Sequence, residues 1–269
     1  MVKVFQDTDK EFYMDGYHKD NLDMAKKVVT KDWDMIFVYD GYEGSGKSVK
    51  AMQDAFYCDP TLDLKRIVFN PKDFQNAVKV AEKYQAIVYD EAYGGLSSRS
   101  AMGAVNRALV KMLTVIRAKN LFIFVVLPCF FDLDRYVAVW RSRALVHIYT
   151  NEGFQRGFFE FYNTDRKLSL YMLGKKFYEY KKGRPNFRGR FYNTYVVNEK
   201  HYRKKKNNTS IQIEDETRYE RVASKMKDKL TLITKNIKKK YPELSERQIA
   251  QLLDVTQPSI GRYLSFKKQ

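Results

Sequence analysis

The apolar run Asp34–Asp40, DMIFVYD, leads directly into GYEGSGKS, and the residues after it read as a helix to about Tyr57. A continuous apolar run bounded by turn residues is the pattern of a strand buried on both faces. The segment Gly41-Tyr42-Glu43-Gly44-Ser45-Gly46-Lys47-Ser48 satisfies G-x-x-x-x-G-K-[ST] at every fixed position. Gly41, Gly44, Ser45 and Gly46 let successive backbone N–H groups turn toward an anion, and the following helix points its positive end there. In such a loop Lys47 reaches the β- and γ-phosphates of a nucleotide and the Ser48 hydroxyl binds Mg²⁺. The alternative is a glycine-rich corner with no ligand. The strand before and the helix after, which the phosphate loop requires, are both present.

A phosphate loop of this kind needs a carboxylate at the end of a nearby strand. The run Gln85–Asp90, QAIVYD, is apolar and closes on Asp90-Glu91. Asp90 is placed to hold Mg²⁺ and Glu91 to polarise an attacking water. Adjacent Asp and Glu suit hydrolysis better than phosphoryl transfer to a small substrate. The absence of an N-K-x-D guanine motif favours ATP.

The rest of the chain to Thr150 alternates strands and helices. Further strands are expected at Lys65–Phe69, Leu121–Leu127 and Ala144–Thr150, with helices at Asp20–Thr30, from Pro71, and at Ala104–Lys119. That alternation implies an α/β fold with a mainly parallel sheet flanked by helices. The extra strand Lys65–Phe69 between the two motifs suits the RecA-like (ASCE) division of P-loop NTPases, which use a catalytic Glu and often work as rings. A ring completes each site with a neighbour's arginine. Among Arg99, Arg107, Arg117, Arg141 and Arg143, Arg117 is the preferred trans arginine finger.

Beyond Thr150 the pattern changes. Gln155–Tyr162 and Lys167–Leu173 flank Asn163-Thr164-Asp165 and read as a hairpin. The stretch Gly174–Lys206 is crowded with Lys and Arg, interleaved with Tyr and Phe, against only Glu179 and Glu199. The whole chain carries +17, so an anionic partner is expected, double-stranded DNA before a membrane. Arg188, Arg190, Lys204 and Lys205 are the expected backbone-phosphate contacts. Domain boundaries are placed at 1–206 for the ATPase domain, with the hairpin and basic stretch at 155–206, then a linker at 207–217 and a helical domain at 218–269.

In the last segment, Leu244–Leu264 has the spacing of a helix-turn-helix, a small all-α DNA-binding domain. Ser245 and Thr256 would cap its helices, and Gln257, Ser259 and Arg262 would face the DNA. A protein-interaction hairpin with the same core is the alternative. Cys58 and Cys129 stand in unrelated contexts and His18, His147 and His201 are scattered, so neither a disulfide framework nor a metal cluster is indicated. The N-terminus lacks the apolar core of a signal peptide, and Leu121–Phe131 is too short to span a bilayer. A cytoplasmic protein, in host cytoplasm if viral, is expected.

With GYEGSGKS, IVFNPKDFQNAV, AIVYDEAY and RAKNLFIFVVLPCFFDLDRYV in that order, Phe37–Tyr149 resembles the P-loop ATPase core of the FtsK/HerA superfamily. It is most similar to the phage and viral zonular-occludens-toxin-like and genome-packaging ATPases. The resemblance implies a DNA translocase or packaging motor that uses ATP and Mg²⁺, assembled as a homo-oligomeric ring with a portal or nuclease protein as partner. Where the family carries a Gln after the fourth strand to sense the γ-phosphate, this chain has Leu127-Pro128-Cys129, so that sensor is not carried over. The sequence shows no span of the kind usual in zonular-occludens-type proteins, and its length weakens the expectation of a large terminase with its nuclease. The second expectation is an ATP-switched DNA-binding regulator of partition or replication initiation, and the third a small-molecule kinase.

Overall fold

The computed structural model describes residues 1–90 and 98–265, with side chains throughout except at 98–101 and 213–224. A short antiparallel pair, β1 (Val2–Val4) and β2 (Phe12–Met14), precedes helix α1 (Gly16–Val29), which Asp15 caps by accepting from the His18 N–H. The chain then runs β3 (Met35–Gly41), α2 (Lys47–Cys58), β4 (Ile67–Val68), α3 (Pro71–Val80), β5 (Ala86–Asp90), α4 (Ser98–Ala118), β6 (Phe122–Val126) and β7 (Ala144–Tyr149). It continues through β8 (Phe158–Tyr162), α5 (Thr164–Gly174), β9 (Phe187–Arg190), α6 (Glu199–Lys240), α7 (Glu246–Leu252) and α8 (Gln257–Ser265).

Seven strands form one sheet in the order β4-β5-β6-β3-β7-β8-β9. The first five are parallel, and β8 and β9 add antiparallel at one edge. Strand β6 therefore lies between β3 and β5. Both Tyr39 of β3 and Asp90 of β5 stand opposite Val126 of β6, so the two strands end at the same level.

The alternation of side chains along each strand builds two cores. On one face Phe37, Tyr39, Val88, Phe124 and Val126 meet Leu22, Ala25 and Val29 of α1 and Met52, Ala55 and Phe56 of α2. On the other, Ile36, Val38, Ile87, Tyr89, Ile123 and Val125 meet Phe74 and Val78 of α3 and Leu109, Met112 and Ile116 of α4. Each such side chain contributes about 1.5–3 kcal/mol when fully buried. This is why β3, β5 and β6 read as continuous apolar runs: neither face reaches water.

The expected hairpin at Asn163 is not formed. Residues Phe158–Tyr162 are a strand, but Lys167–Leu173 lies within helix α5. Asn163 is the helix cap, its side chain accepting from the Arg166 N–H, rather than a turn between strands. The buried positions Lys167, Leu170, Tyr171 and Gly174 repeat at three and four residues, the helical spacing. Lys167 inserts its stem there and donates to the Ala138 and Val139 carbonyls. The strand expected at Lys65–Phe69 is shorter, a 3₁₀ turn at Leu64–Arg66 followed by β4.

The chain divides into two compact units, Met1–Ser210 and Ile211–Gln269. The residues 207–217, expected as a linker, are helical, and the division between the two units falls within them. In the second unit, Ser245 forms a capping box with Gln248 at the start of α7. Ile249 and Ala250 of α7 and Ile260 of α8 are buried together, with Ile237, Leu244, Leu253, Val255, Tyr263 and Leu264 packed around them. Among the described residues no helix is long and apolar enough to cross a membrane.

Beneath α2 lies a buried ionic cluster. Asp54 accepts from Lys50 Nζ at 2.5 Å, from the Tyr39 hydroxyl at 2.7 Å, and pairs with His18 Nε2 at 2.7 Å. Burial raises the Asp54 pKa, yet His18 and Lys50 outweigh it and hold the carboxyl at about 2. Its stabilising contribution is present above the ordinary value of 3.8 and is lost as pH falls through about 2. Replacing Lys50 with Met leaves this carboxylate without its cation. The expected result is a loss of about 3–5 kcal/mol in urea-unfolding stability at neutral pH.

Candidate active site

The end of β3 sets the geometry of the glycine loop. Gly41 has φ of 130°, and a Cβ there would lie 2.0 Å from the Ile148 carbonyl oxygen of the neighbouring β7. Gly46, with φ of 104°, is the cap of α2, and a Cβ on it would press against the Phe191 ring at 3.1 Å. Both positions need glycine, one for close backbone approach and one for a left-handed turn into the helix. The Ser45 hydroxyl between them is buried with no hydrogen-bond partner among the described residues.

Lys47 opens α2 and curls back over the loop. Its Nζ donates to the Gly41 carbonyl at 2.5 Å and the Tyr42 carbonyl at 2.8 Å. Burial lowers its pKa, and the carboxylates of Asp40, Asp90 and Glu43 oppose that shift. The Ser48 hydroxyl donates to Asp90 Oδ1 at 3.1 Å. The structure thus brings together Gly41, Gly44, Ser45, Gly46, Lys47, Ser48 and Asp90. Of these, Gly44, Gly46, Lys47, Ser48 and Asp90 border a cavity of about 480 Å³, a size usual for nucleotide-sized ligands.

The donor set fits a nucleotide and a hard divalent cation. The loop glycines, the buried and unpartnered Ser45 hydroxyl and the Ser48–Asp90 oxygen pair are groups of the kind that phosphate and Mg²⁺ take. Glu91, the expected base for water, lies outside the described residues.

The far wall of the cavity comes from a part of the chain that the sequence did not single out for this site. Tyr202 and Lys206, on the first turns of α6, both reach Asp90 Oδ2; the Tyr202 hydroxyl donates to it, and Lys206 Nζ lies at 2.9 Å. Arg203, Arg156, Asn193 and Tyr195 complete the wall. These residues sat inside a stretch so basic that its charge pointed to an external anion. Only the stretch Tyr-Arg-Lys-Lys-Lys, with Tyr202 and Lys206 one helical turn apart, could have hinted at a face turned inward.

Below the loop, Asp40 is fully buried at the end of β3. His147 Nδ1 of β7 lies 2.9 Å from Asp40 Oδ1, while the Tyr180 hydroxyl and the Phe130 N–H (2.9 Å) donate to Oδ2. The His147 and Tyr180 rings stack at 4.1 Å. This cluster ties the segment after β6 to the base of the loop. The Gly41 N–H donates to the Pro128 carbonyl in the same region.

Other expected residues fall elsewhere. Arg117 pairs with Asp32 at 3.3 Å and covers the Trp33 ring, before the start of β3 and so at the end of the sheet opposite the loop. Arg141 pairs with Asp34, and Arg143 also lies over Trp33. Of the expected DNA contacts, Arg188 pairs with Glu160 at 2.9 Å and Arg190 covers the Phe158 ring. Lys205 donates to the Leu64 and Ile67 carbonyls, both at 2.7 Å, and Lys204 is exposed. Gln257 and Arg262 are exposed on α8, and Ser259 bonds Thr256 at 2.9 Å.

No family model and no curated protein matches the chain. Among solved structures, the N-terminal domain of zonular occludens toxin from Neisseria meningitidis is similar at 16% identity with a TM-score of 0.33. The match spans 49% of this chain and 84% of that one. The fold class defined by the sheet and site is a mixed α/β domain with a mostly parallel central sheet flanked by helices, compatible with a RecA-like fold.

The two buried histidines should titrate in opposite directions. Burial lowers His147, but the Asp40 carboxylate more than offsets this and raises it above 6.5; burial dominates at His18 and lowers it. Stability from His147 is therefore present below 6.5 and lost as pH rises through its folded value, whereas stability tied to neutral His18 is lost as pH falls below 6.5. Histidine NMR titration of the folded chain, assigned with His147→Gln and His18→Gln, should place one pKa on each side of 6.5.

Proposed function

We propose that this chain is a Mg²⁺-dependent ATP hydrolase whose turnover is coupled to work on double-stranded DNA. The observation that carries the hydrolase reading is the Ser48–Asp90 contact at 3.1 Å beside the glycine loop and Lys47. In this reading the loop N–H groups and Lys47 bind the phosphates. Ser48 and Asp90 would hold Mg²⁺, whose charge offsets that of the phosphates. Glu91, next in the chain after Asp90, takes the proton of the attacking water.

The DNA part of the proposal rests on the charge of +17 and on exposed cations such as Lys204 and Lys200. Contacts to backbone phosphate by such residues are independent of sequence and weaken steeply with salt. A translocating or genome-packaging motor, assembled as a ring, is the leading role. The small helical cluster around Ile249 and Ile260, with Gln257 and Arg262 exposed, favours a second role as an ATP-switched DNA-binding regulator.

ATP hydrolysis by the full chain, with and without duplex DNA, tests both parts. Lys47→Ala should lower turnover at least about 100-fold, and Glu91→Gln should bind ATP without hydrolysing it. Normal turnover in the Glu91 variant would remove the assigned base. Strong stimulation by any duplex supports the motor; weak turnover indifferent to non-specific duplex supports the regulator. No ATP hydrolysis by the unaltered chain under any of these conditions would sink the hydrolase reading.

A further inference from the structure

Asp90 is almost wholly buried, yet its Oδ2 holds two groups from the same helix, the Tyr202 hydroxyl and Lys206 Nζ. The backbone that carries Lys206 is pinned from several sides. Lys205 donates to the Leu64 and Ile67 carbonyls, and Tyr202 packs on Phe69 with ring centroids 5.7 Å apart. Just upstream, Gln53 of α2 donates to the Tyr192 and Thr194 carbonyls at 2.7 and 2.8 Å. The Lys206 ammonium, 3.5 Å from the Tyr202 hydroxyl and partly exposed at the cavity wall, sits at the end of a flexible four-carbon stem on which it can swing.

Two positive charges cannot share one carboxylate without repulsion. A divalent cation on Ser48 and Asp90 would face an ammonium 2.9 Å from the same carboxylate. The triphosphate that accompanies it brings several negative charges into the cavity that Lys206 also borders. An ammonium leaving Asp90 would meet the phosphates within the cavity it borders, where a charge-assisted N–H···O bond would stabilise it.

Building on the nucleotide reading above, we propose that Lys206 is a catalytic residue supplied in cis. It rests on Asp90 while the site lacks a triphosphate and moves to the γ-phosphoryl oxygens when Mg²⁺ and ATP enter. It then offsets the charge that develops on the transferred phosphoryl group, the task that ring ATPases assign to a neighbour's arginine. A site completed in this way needs no second subunit for its terminal-phosphate cation. Arg117, held by Asp32 and Trp33 at the other end of the sheet, is not required within the chain's own site.

The deciding experiment compares equilibrium binding of fluorescent ADP and of a fluorescent non-hydrolysable ATP analogue, each with Mg²⁺, to the full chain and its Lys206→Gln and Lys206→Arg variants. Thermal melting serves to verify that each variant is folded. The unaltered chain should prefer the triphosphate, and Lys206→Gln should lose about 10–100-fold of that preference with ADP affinity held within about twofold. Lys206→Arg should restore part of the preference, and turnover per chain should be independent of protein concentration. An unchanged triphosphate preference, or faster turnover, in Lys206→Gln would overturn the proposal; faster turnover would leave Lys206 only as a plug on Asp90. Binding without hydrolysis by the unaltered chain counts against the hydrolase reading alone, because the binding ratio still reads Lys206. Failure to bind either nucleotide would remove both.

Discussion

The contact between the Ser48 hydroxyl and Asp90 joins residues 42 positions apart, and the rest of the site is arranged around it. It exists because β6 is inserted between β3 and β5 in a parallel register that ends all three strands together. Strand-to-strand spacing puts β3 and β5 about 9.5 Å apart. A loop rising from β3 must therefore cross β6 before its helix can touch Asp90. The eight residues from Gly41 to Ser48 make that crossing, and their glycines permit it at Gly41 and Gly46. A bulkier residue at Gly41 would collide with β7 and displace the loop, and the oxygen pair would open.

The helix that carries Ser48 is itself held by charge. Lys50, two residues further along α2, turns away from the cavity into the sheet, where it meets Asp54, and through Asp54 it is linked to Tyr39 of β3 and His18 of α1. One helix thus presents Lys47 and Ser48 to the ligand side and Lys50 to the interior. The buried cluster is expensive to desolvate, but once complete it fixes the rotation of α2 about its axis. That rotation decides whether Ser48 faces Asp90. The Asp40 cluster plays the matching part on the other side of the loop, where His147 and Tyr180 fix the chain after β6 against the end of β3.

The glycine loop, the strand ending in Asp90 and the parallel core were legible because each is a local pattern: fixed spacing in one case, uninterrupted apolar runs in the others. The sequence-based expectation failed where one residue type serves two local structures. Asn163 followed by Thr and Asp satisfies a turn and a helix cap equally well, and only the three-and-four spacing of Lys167, Leu170, Tyr171 and Gly174 decides for the helix. A lysine counted among those four positions hid the pattern, since a buried Lys reads as a surface residue until its two carbonyl partners are known. The polar residues after Lys206 carry no such pattern, and the division between the two units falls among them. A helix with little apolar content has no periodic signal of its own.

Charge composition was the least local signal and the most easily over-read. The +17 of the chain counts every Lys and Arg alike, but in the first unit many are already engaged. Lys50 answers Asp54, Arg66 answers Asp59, Arg141 answers Asp34, Arg188 answers Glu160, and Lys205 caps carbonyls at Leu64 and Ile67. A cation inside a satisfied pair has little to offer an incoming phosphate, because a new contact must first break the old one. Lys206 differs in kind. Its partner is Asp90, the carboxylate that a bound metal would claim under the proposal above, so its engagement would depend on the state of the site. The same basic run therefore holds three chemically distinct lysines in succession: Lys204 open to solvent, Lys205 fixed to the backbone, and Lys206 poised on Asp90. Helical periodicity separates them, turning consecutive residues by about 100° each. For that reason a segment that looks uniformly basic turns one face to solvent while another closes the cavity wall at Asp90.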